Sequence, residues 1–234
     1  MTTDNYNPAD YPPFAVAVDL VVLTVRPPKM EVLLVKREES PHRGALALPG
    51  GFVGPDQTLL EAAQTKLATK TGVALKQAHL EQLATFGQPA RDPRMRVISV
   101  TYLAMVPHPE SLVTKEAMWR PTDSTELGTL AFDHSNIVAQ GIERARSKLE
   151  YTTLATTFCN STFTMVELRG VYEAVWGLRL DPANFHRKVL ASDSFIEPTG
   201  ETSSEGRGRP AKLYRAGRVA QLHPAIIRST KEPD

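Results

Sequence analysis

The sequence of 234 residues predicts an α+β fold with two domains. Before Tyr151, apolar runs rich in β-branched residues alternate with capped helical segments, whereas short helices follow one another closely after it. Near the end, two short apolar runs flank a loop rich in Gly and Arg. We therefore predict a flexible tail over 1–13, a mixed-sheet domain over 14–152, a second domain over 153–222 and a C-terminal tail over 223–234.

The composition is that of an ordinary globular protein. Hydrophobic residues make up 41% and charged residues 23%, which excludes a disordered, fibrous or collagen-like chain. No stretch approaches the roughly 20 apolar residues of a membrane helix, and the polar start Met1–Pro13 lacks the pattern of a secretory signal. Because Cys159 is the single cysteine, we expect a cytoplasmic protein without a disulfide or a structural zinc.

In the first domain, capping residues mark where the predicted helices begin and end. Thr58 and Glu61 have the spacing of a capping box, and Gly72 ends that helix, while Asp133 is a suitable N-cap for a later one. In chain order, the predicted elements are strands over Ala15–Val25 and Glu31–Val35, an interrupted apolar stretch over Ala45–Val53, the helix after Thr58, strands over Leu80–Phe86 and Val97–Val106, and a helix from Asp133 to about Leu149.

The second domain has the layout of a winged helix-turn-helix. Thr164 and Glu167 form a second capping box, and Gly177 ends that helix. Asp181 followed by proline opens the next helix, which continues to about Ala191. The short strands expected over Phe195–Glu197 and Lys212–Tyr214 then form a hairpin, or wing.

The charge of this domain is concentrated around the wing. The net charge of the chain is only +1, but Gly206–Arg218 contains five basic residues and no acidic one. Such a stretch can bind phosphate groups. The alternative is a solvated loop without a partner.

The segment from Gly50 to Val73 resembles the Nudix hydrolase signature, with its spacing intact. Gly51, Leu67, Gly72 and Val73 stand at the glycine and aliphatic positions of the signature. The resemblance implies that the first domain is an α/β/α sandwich around a mixed sheet, with a pocket for a nucleotide.

The residues that carry Nudix chemistry are replaced. In the family, signature glutamates hold Mg²⁺ and activate water, and an arginine orients them. The corresponding positions here are Gln57, Thr65, Lys66, Thr69 and Lys70. Because a lysine ammonium cannot coordinate Mg²⁺, we expect no bound metal, no cofactor and no catalytic residue, and hence no enzyme. The alternative is a nucleotide diphosphate hydrolase with nonstandard metal ligands.

With the second domain included, the chain resembles the Nudix-related transcriptional regulators of NAD metabolism. The matching segments are Phe163–Leu168 for the first helix, Asp181–Leu190 for the recognition helix and Gly208–Arg215 for the wing. The resemblance implies a repressor of NAD biosynthesis or salvage genes that binds a palindromic operator as a homodimer. It also implies that ADP-ribose or a related nucleotide binds the first domain and releases the DNA.

Candidate ligand residues come from the second strand and from the loop after the strand predicted over Leu80–Phe86. Arginine forks suit a diphosphate and an aromatic ring suits adenine, although Arg37 could be only a surface residue. Lys66, Thr69 and Lys70 either contact phosphates in place of the metal or form a solvated helix face. The candidates are Arg37, Phe86, Gly87, Arg91, Asp92 and Arg94.

Candidate DNA-binding residues lie on the recognition helix and the wing. We expect Phe185, Val189 and Leu190 to be buried and the polar residues of the same helix to face DNA. A winged helix that binds protein instead of DNA is the competing interpretation. The candidates are Asn184, His186, Arg187, Lys188, Arg207, Gly208, Arg209 and Lys212.

Overall fold

The computed structural model describes residues 7–73, 78–109, 112, 114–123, 127–203 and 210–228. It has a large mixed sheet with helices on both faces, followed by a winged helix-turn-helix, as the sequence predicts. No helix among these residues is long and apolar enough to cross a membrane. The wing residues Arg207, Gly208 and Arg209 lie outside the described ranges.

The large sheet is built around its two longest strands. β1 (Ala15–Arg26) pairs antiparallel with β2 (Lys29–Lys36) and parallel with β6 (Val97–Met105). The remaining strands of the sheet extend it antiparallel from these three, and their bounds are β3 (Leu46–Ala47), β4 (Gly50–Phe52), β5 (His79–Phe86) and β7 (Ala117–Pro121). The sequence analysis did not predict β7.

Alternate residues of β1 pack on opposite faces of the sheet. Val18, Leu20 and Val22 pack in the same cluster as Leu67 of α1 (Leu59–Thr71). On the other face, Val21, Leu23 and Val25 pack with α2 (His134–Tyr151). Both faces of this strand are covered, which explains its almost continuous apolar sequence.

The caps of the first two helices differ from each other. Thr58 and Glu61 form the predicted capping box of α1, and Gly72 ends the helix with φ of 75°. Asp133 occupies the N-cap position of α2, but its side chain makes no capping hydrogen bond there. The carboxylate binds Arg91 instead.

The winged helix-turn-helix follows a 3₁₀ segment, Thr153–Phe158. Its helices have the predicted caps, with a capping box of Thr164 and Glu167 and with Asp181 at the second N-cap. Its elements are β8 (Phe163–Thr164), α3 (Met165–Trp176), α4 (Pro182–Ala191), β9 (Ile196–Ser203) and β10 (Ala211–Ala216).

The two domains share one hydrophobic core. Leu168, Val171 and Tyr172 of α3 belong to the same buried cluster as Val21 and Leu23 of β1. Helix α3 therefore covers part of the sheet beside α2. The boundary predicted near residue 152 has no break in packing, and the second domain is held against the first.

The beginning of the predicted C-terminal tail is also packed. Ile226 is 1% exposed, and its backbone N–H donates to the Glu150 carbonyl of α2. The Ser192 hydroxyl at the end of α4 donates to the Pro224 carbonyl at 2.8 Å. We call residues 219–228 the C-terminal strap, because it joins α2 to α4.

Two helical glycines provide a test of this packing. A Cβ at Gly141 of α2 would lie 2.6 Å from Val21 Cγ1, whereas one at Gly170 of α3 would meet Pro27 at an ordinary 3.6 Å. We predict that Gly141→Ala lowers the free energy of unfolding by about 1–3 kcal/mol through overpacking. Gly170→Ala should raise it by about 0.5–1 kcal/mol through helix propensity. Urea denaturation of both variants checks this, and equal effects would contradict the described packing of α2 on β1.

Candidate functional site

A cavity of about 410 Å³ opens beside β1, β2 and β4. The C-terminal end of α1 and the N-terminal end of α2 also contribute to its lining, together with the loop after β5. Four of the six predicted ligand residues line it: Arg37, Arg91, Asp92 and Arg94. The cavity is therefore the candidate ligand site, and both charge signs are present in its wall.

Phe86 and Gly87 are not among the residues that line the cavity. Phe86 is 9% exposed and packs in the main hydrophobic core, so the prediction that its ring stacks on the ligand is wrong. Its side chain points to the core face of β5, which the alternation of a strand decides. The aromatic residues in the wall are Phe52 and Phe132.

Phe132 packs beneath the predicted arginines. The guanidinium carbons of Arg37 and Arg94 lie 4.7 and 5.8 Å from the centre of its ring, within the range of cation–π attraction. Phe132 has φ of 54°, a left-handed conformation that is rare for a large residue. Sequence reasoning missed this residue, since its role depends on a loop conformation.

Arg94 is held in place by its neighbour. Its Nε and Nη2 atoms donate to the two carboxylate oxygens of Asp92 at 3.0 and 2.7 Å. The guanidinium beside Asp92 lowers the pKa of that carboxyl below its usual value. The exposed fraction of the Arg94 side chain is 37%, so it still reaches the cavity while Asp92 orients it.

Arg91 has a different environment. It donates from Nε and Nη2 to Asp133 at 3.0 and 2.7 Å, and its side chain is 4% exposed. Its Nη2 also lies 3.5 Å from Asp19 Oδ2. Arg91 therefore joins the loop after β5 to the start of α2, and its donors are largely occupied.

Asp19 and His134 complete a buried polar network that the sequence analysis did not single out. The Ser99 hydroxyl donates to Asp19 Oδ2 at 2.6 Å, and His134 Nε2 lies 3.8 Å from Asp19 Oδ1. The Leu48 backbone N–H donates to His134 Nδ1 at 3.0 Å, which requires this nitrogen to be unprotonated. A lone acidic residue in an apolar strand was the available signal for Asp19.

Only glycine fits at position 50, beside this polar network. A Cβ on Gly50 would lie 2.3 Å from Asp19 Oδ1 and 2.4 Å from the Val18 carbonyl oxygen. The glycine at this position thus has a steric reason in this chain. The wall of the cavity is formed here by backbone.

The polar groups of the recognition helix α4 divide between an exposed and a half-buried face. Asn184, His186 and Arg187 are exposed, and Arg187 Nη2 donates to Asn184 Oδ1 at 2.8 Å. Phe185 and Val189 are buried as predicted. Lys212 of the wing is also exposed.

One expectation for α4 is wrong, and the DNA contact predicted for Lys188 stays a prediction. Leu190 is 54% exposed, because five residues from Phe185 it lies on a different side of the helix. Lys188 is three residues from Phe185 and lies on the same side of α4. The Nζ of Lys188 donates to the Ile227 carbonyl at 3.1 Å. The structure therefore separates Lys188 from the exposed polar face.

Comparison with known proteins identifies both domains. Residues 14–141 match the NUDIX domain model, and residues 156–216 match the model of the NrtR DNA-binding winged helix domain. A curated relative from Acinetobacter baylyi, named ADPR responsive transcriptional repressor NtrR, is 33% identical over 216 residues, which cover 90% of this chain and 85% of the relative. An ADP-ribose pyrophosphatase from Methanocaldococcus jannaschii is 37% identical over 127 residues, or 53% of this chain and 70% of that protein.

Solved structures agree with these matches. NrtR from Shewanella oneidensis, crystallised with a 27mer DNA, is similar with a TM-score of 0.71 and 31% identity, covering 88% of this chain and 99% of that one. The NUDIX domain of the same protein, crystallised with ADP ribose, is similar with a TM-score of 0.53 and 32% identity over 62% of this chain and 99% of that one.

The buried histidine gives a testable pH dependence. Desolvation lowers the pKa of His134 below its ordinary 6.5, although Asp19 opposes the shift. At pH values between the two pKa values, the unfolded state therefore binds more protons than the folded state. The contribution of His134 to stability is complete above about pH 6.5 and is lost as the pH falls through the lower pKa of the folded state.

We predict that the free energy of unfolding falls between pH 6.5 and 5 by up to about 1.4 kcal/mol per pH unit from this residue. His134→Gln should remove that component of the slope, whatever its effect on the stability at pH 8. Urea denaturation of both proteins across this range measures it. Parallel curves would show that His134 is not the titrating group.

Proposed function

Because the chain belongs to the NrtR family, in which a NUDIX domain is joined to an NrtR DNA-binding winged helix domain, we propose that it is an ADP-ribose-responsive transcriptional repressor. The genes it regulates are those of NAD biosynthesis or salvage, and it acts in the cytoplasm. One observation carries the proposal: a nucleotide-sized cavity lined by arginines shares a hydrophobic core with a winged helix whose polar face is exposed.

ADP-ribose, or a closely related NAD-derived nucleotide, is the proposed effector. Arg37 and Arg94 offer guanidinium donors for its diphosphate, and the rings of Phe52 and Phe132 offer apolar surface for its base or ribose. Asp92 and Arg91 act by orienting these groups. The relative from Shewanella oneidensis was crystallised with this ligand in its NUDIX domain.

We propose that the protein binds the effector without hydrolysing it. The five signature positions occupied by Gln57, Thr65, Lys66, Thr69 and Lys70 offer no carboxylate. Among the residues described, no group of three or more His, Cys, Asp or Glu side chains is placed to hold a metal. Since a relative is named as a pyrophosphatase, a hydrolase with nonstandard ligands is the second candidate.

The proposed partner of the second domain is a palindromic DNA operator. Asn184, His186 and Arg187 of α4 enter the major groove, while the wing residues Arg207, Gly208, Arg209 and Lys212 follow the phosphates. An amide side chain can pair with adenine and a guanidinium with guanine. A palindrome requires two copies related by twofold symmetry, so we propose a homodimer.

Helix α2 offers a route between the two sites. It begins at His134 in the wall of the cavity and runs about 27 Å to Tyr151. In its second half, Glu143 and Glu150 both bind Arg228 of the C-terminal strap. The strap in turn contacts α4 through Lys188 and Ser192. We propose that effector binding shifts α2 and, through the strap, the recognition helix.

The first test combines DNA binding with an assay for hydrolysis. We expect the full-length protein to bind DNA from its own gene neighbourhood, to release it when ADP-ribose is added and to form no AMP in the same mixture. Arg187→Ala should weaken DNA binding by about 5- to 100-fold through the loss of one base or phosphate contact. A salt-dependent gel shift measures the binding.

Arg120→Ala is the matched control, because Arg120 is exposed on β7, a strand of the NUDIX domain. AMP accumulation without DNA binding would establish the hydrolase instead. Failure to bind DNA at any salt concentration, with no AMP formed, would favour a winged helix that binds protein.

The contacts of the strap allow a separate test of the coupling between ADP-ribose binding and DNA binding. In Arg228→Met, the side-chain links from the strap to Glu143 and Glu150 of α2 are lost, so the ratio of DNA affinities without and with ADP-ribose should fall several-fold. The affinity of the DNA-free protein for ADP-ribose should stay unchanged. Arg26→Met, which removes an arginine paired with Glu31 on the β1–β2 hairpin, is the control. An unchanged ratio would exclude the strap from the switch.

A further inference from the structure

The end of α1 places cations where the Nudix signature places metal ligands. Thr69 and Lys70, at two signature glutamate positions, line the cavity. Lys66 stands one turn earlier, and its aliphatic stem lies over Gly51, whose Cβ would be 3.1 Å from Lys66 Cε. Residues four apart share a helix face, so Lys66 lies on the same side of α1 as Lys70, although only Lys70 of the two lines the cavity.

The Lys70 ammonium has no direct side-chain partner among the described residues, although Asp19 and Glu39 are near enough to affect its pKa. Within the described part of the chain, it has no hydrogen bond or salt bridge, although its residue is at the cavity wall. Lys70 as a whole residue is exposed, but partial desolvation beside the cavity is the main cause that lowers its pKa, and the charges of Arg37 and Lys66 lower it further. The carboxylates of Asp19 and Glu39 oppose these effects without outweighing them.

Arg37 belongs to the same cluster of cations. Burial and the charge of Arg94 lower its pKa. Its Nε is engaged by the Pro41 carbonyl at 2.9 Å, a neutral acceptor. The wall around α1 and β2 therefore contains several cations beside the carboxylates of Asp19, Glu38 and Glu39. A bound anion would relieve the repulsion among these cations.

Glu38, Glu39 and Glu116 also line the cavity, but among the described residues no three His, Cys, Asp or Glu side chains are grouped to hold a metal ion. Mg²⁺ needs several oxygen ligands in near-octahedral geometry. Asp19 is already bound by Ser99 and faces Arg91, and Asp92 is bound by both Nε and Nη2 of Arg94. The nearby ammonium groups of Lys66 and Lys70 would repel the ion.

We propose that Lys70, assisted by Lys66, neutralises the diphosphate of the effector at the place where Nudix hydrolases use a divalent metal, so that effector binding requires no metal. The proposal rests on the function proposed above and assigns the charge partner of that ligand. An ammonium supplies positive charge and hydrogen-bond donors to phosphate, but it cannot bind and activate a water nucleophile. The same substitutions thus keep the affinity for a diphosphate and remove its hydrolysis.

The test is calorimetric titration of the full-length protein with ADP-ribose, once in EDTA and once in Mg²⁺. We expect dissociation constants that agree within about twofold. Lys70→Met retains the aliphatic stem and should weaken binding by about 10- to 100-fold, the usual effect of losing a charged hydrogen bond. Lys70→Arg should restore most of the affinity. Lys115→Met is the control, since that side chain is 92% exposed and is not in the cavity wall.

A reversal of charge gives a second readout. In Lys66→Glu/Lys70→Glu, binding in EDTA should be lost, and Mg²⁺ should restore it at least in part. Thermal unfolding of each variant, with and without inorganic pyrophosphate, verifies that it is folded and shows whether the diphosphate alone is bound.

The outcomes separate this proposal from the proposed function. Binding of ADP-ribose only with Mg²⁺ would overturn the lysine proposal and leave the ADP-ribose-responsive repressor intact. Metal-independent binding that Lys70→Met and Lys66→Met leave unchanged would show that both lysines belong to a solvated helix face. If the folded wild-type protein binds DNA but neither ADP-ribose nor pyrophosphate, the proposed effector fails and the lysine assignment fails with it.

Discussion

The burial of β1 on both faces is the constraint on which the rest of the structure depends. Its alternate side chains pack against α1 on one face and against α2 and α3 on the other. Removing this apolar surface from water favours the fold by an amount proportional to the area buried. Because α3 belongs to the winged helix, the same strand that organises the NUDIX domain also holds the DNA-binding domain in place.

This arrangement sets the geometry of the cavity. Asp19 projects from β1 into the polar network, and β4 passes so close to it that Gly50 has no space for a side chain. The start of α2 is held there by the pair of Arg91 and Asp133. The cavity wall is thus built from elements that also carry the shared core, so a change in the wall can alter the packing of both domains.

The cavity and the winged helix retain different parts of their families' chemistry. The NUDIX fold needs its glycine and aliphatic positions for packing and its glutamates for a metal, so these two sets can vary independently. In this chain the first set remains, while Lys66, Thr69 and Lys70 replace carboxylates. The winged helix retains exposed Asn184 and Arg187 above buried Phe185 and Val189. A ligand sensor requires a binding site and a structural element that joins this site to the DNA-binding domain. It does not require catalysis.

The sequence by itself determined the element types, the helix caps at Thr58, Thr164 and Asp181, and the loss of the signature carboxylates, because these are properties of neighbouring residues or of residue identity. It also predicted Arg37 and Arg94 as ligand residues, and the structure places both in the cavity wall. Only the tertiary structure decided that Phe86 is in the core, that Phe132 underlies the arginines and that Lys188 is turned to the C-terminal strap. Those outcomes depend on which segments meet across the fold, and local spacing carries no information about contacts between residues as distant as Leu48 and His134.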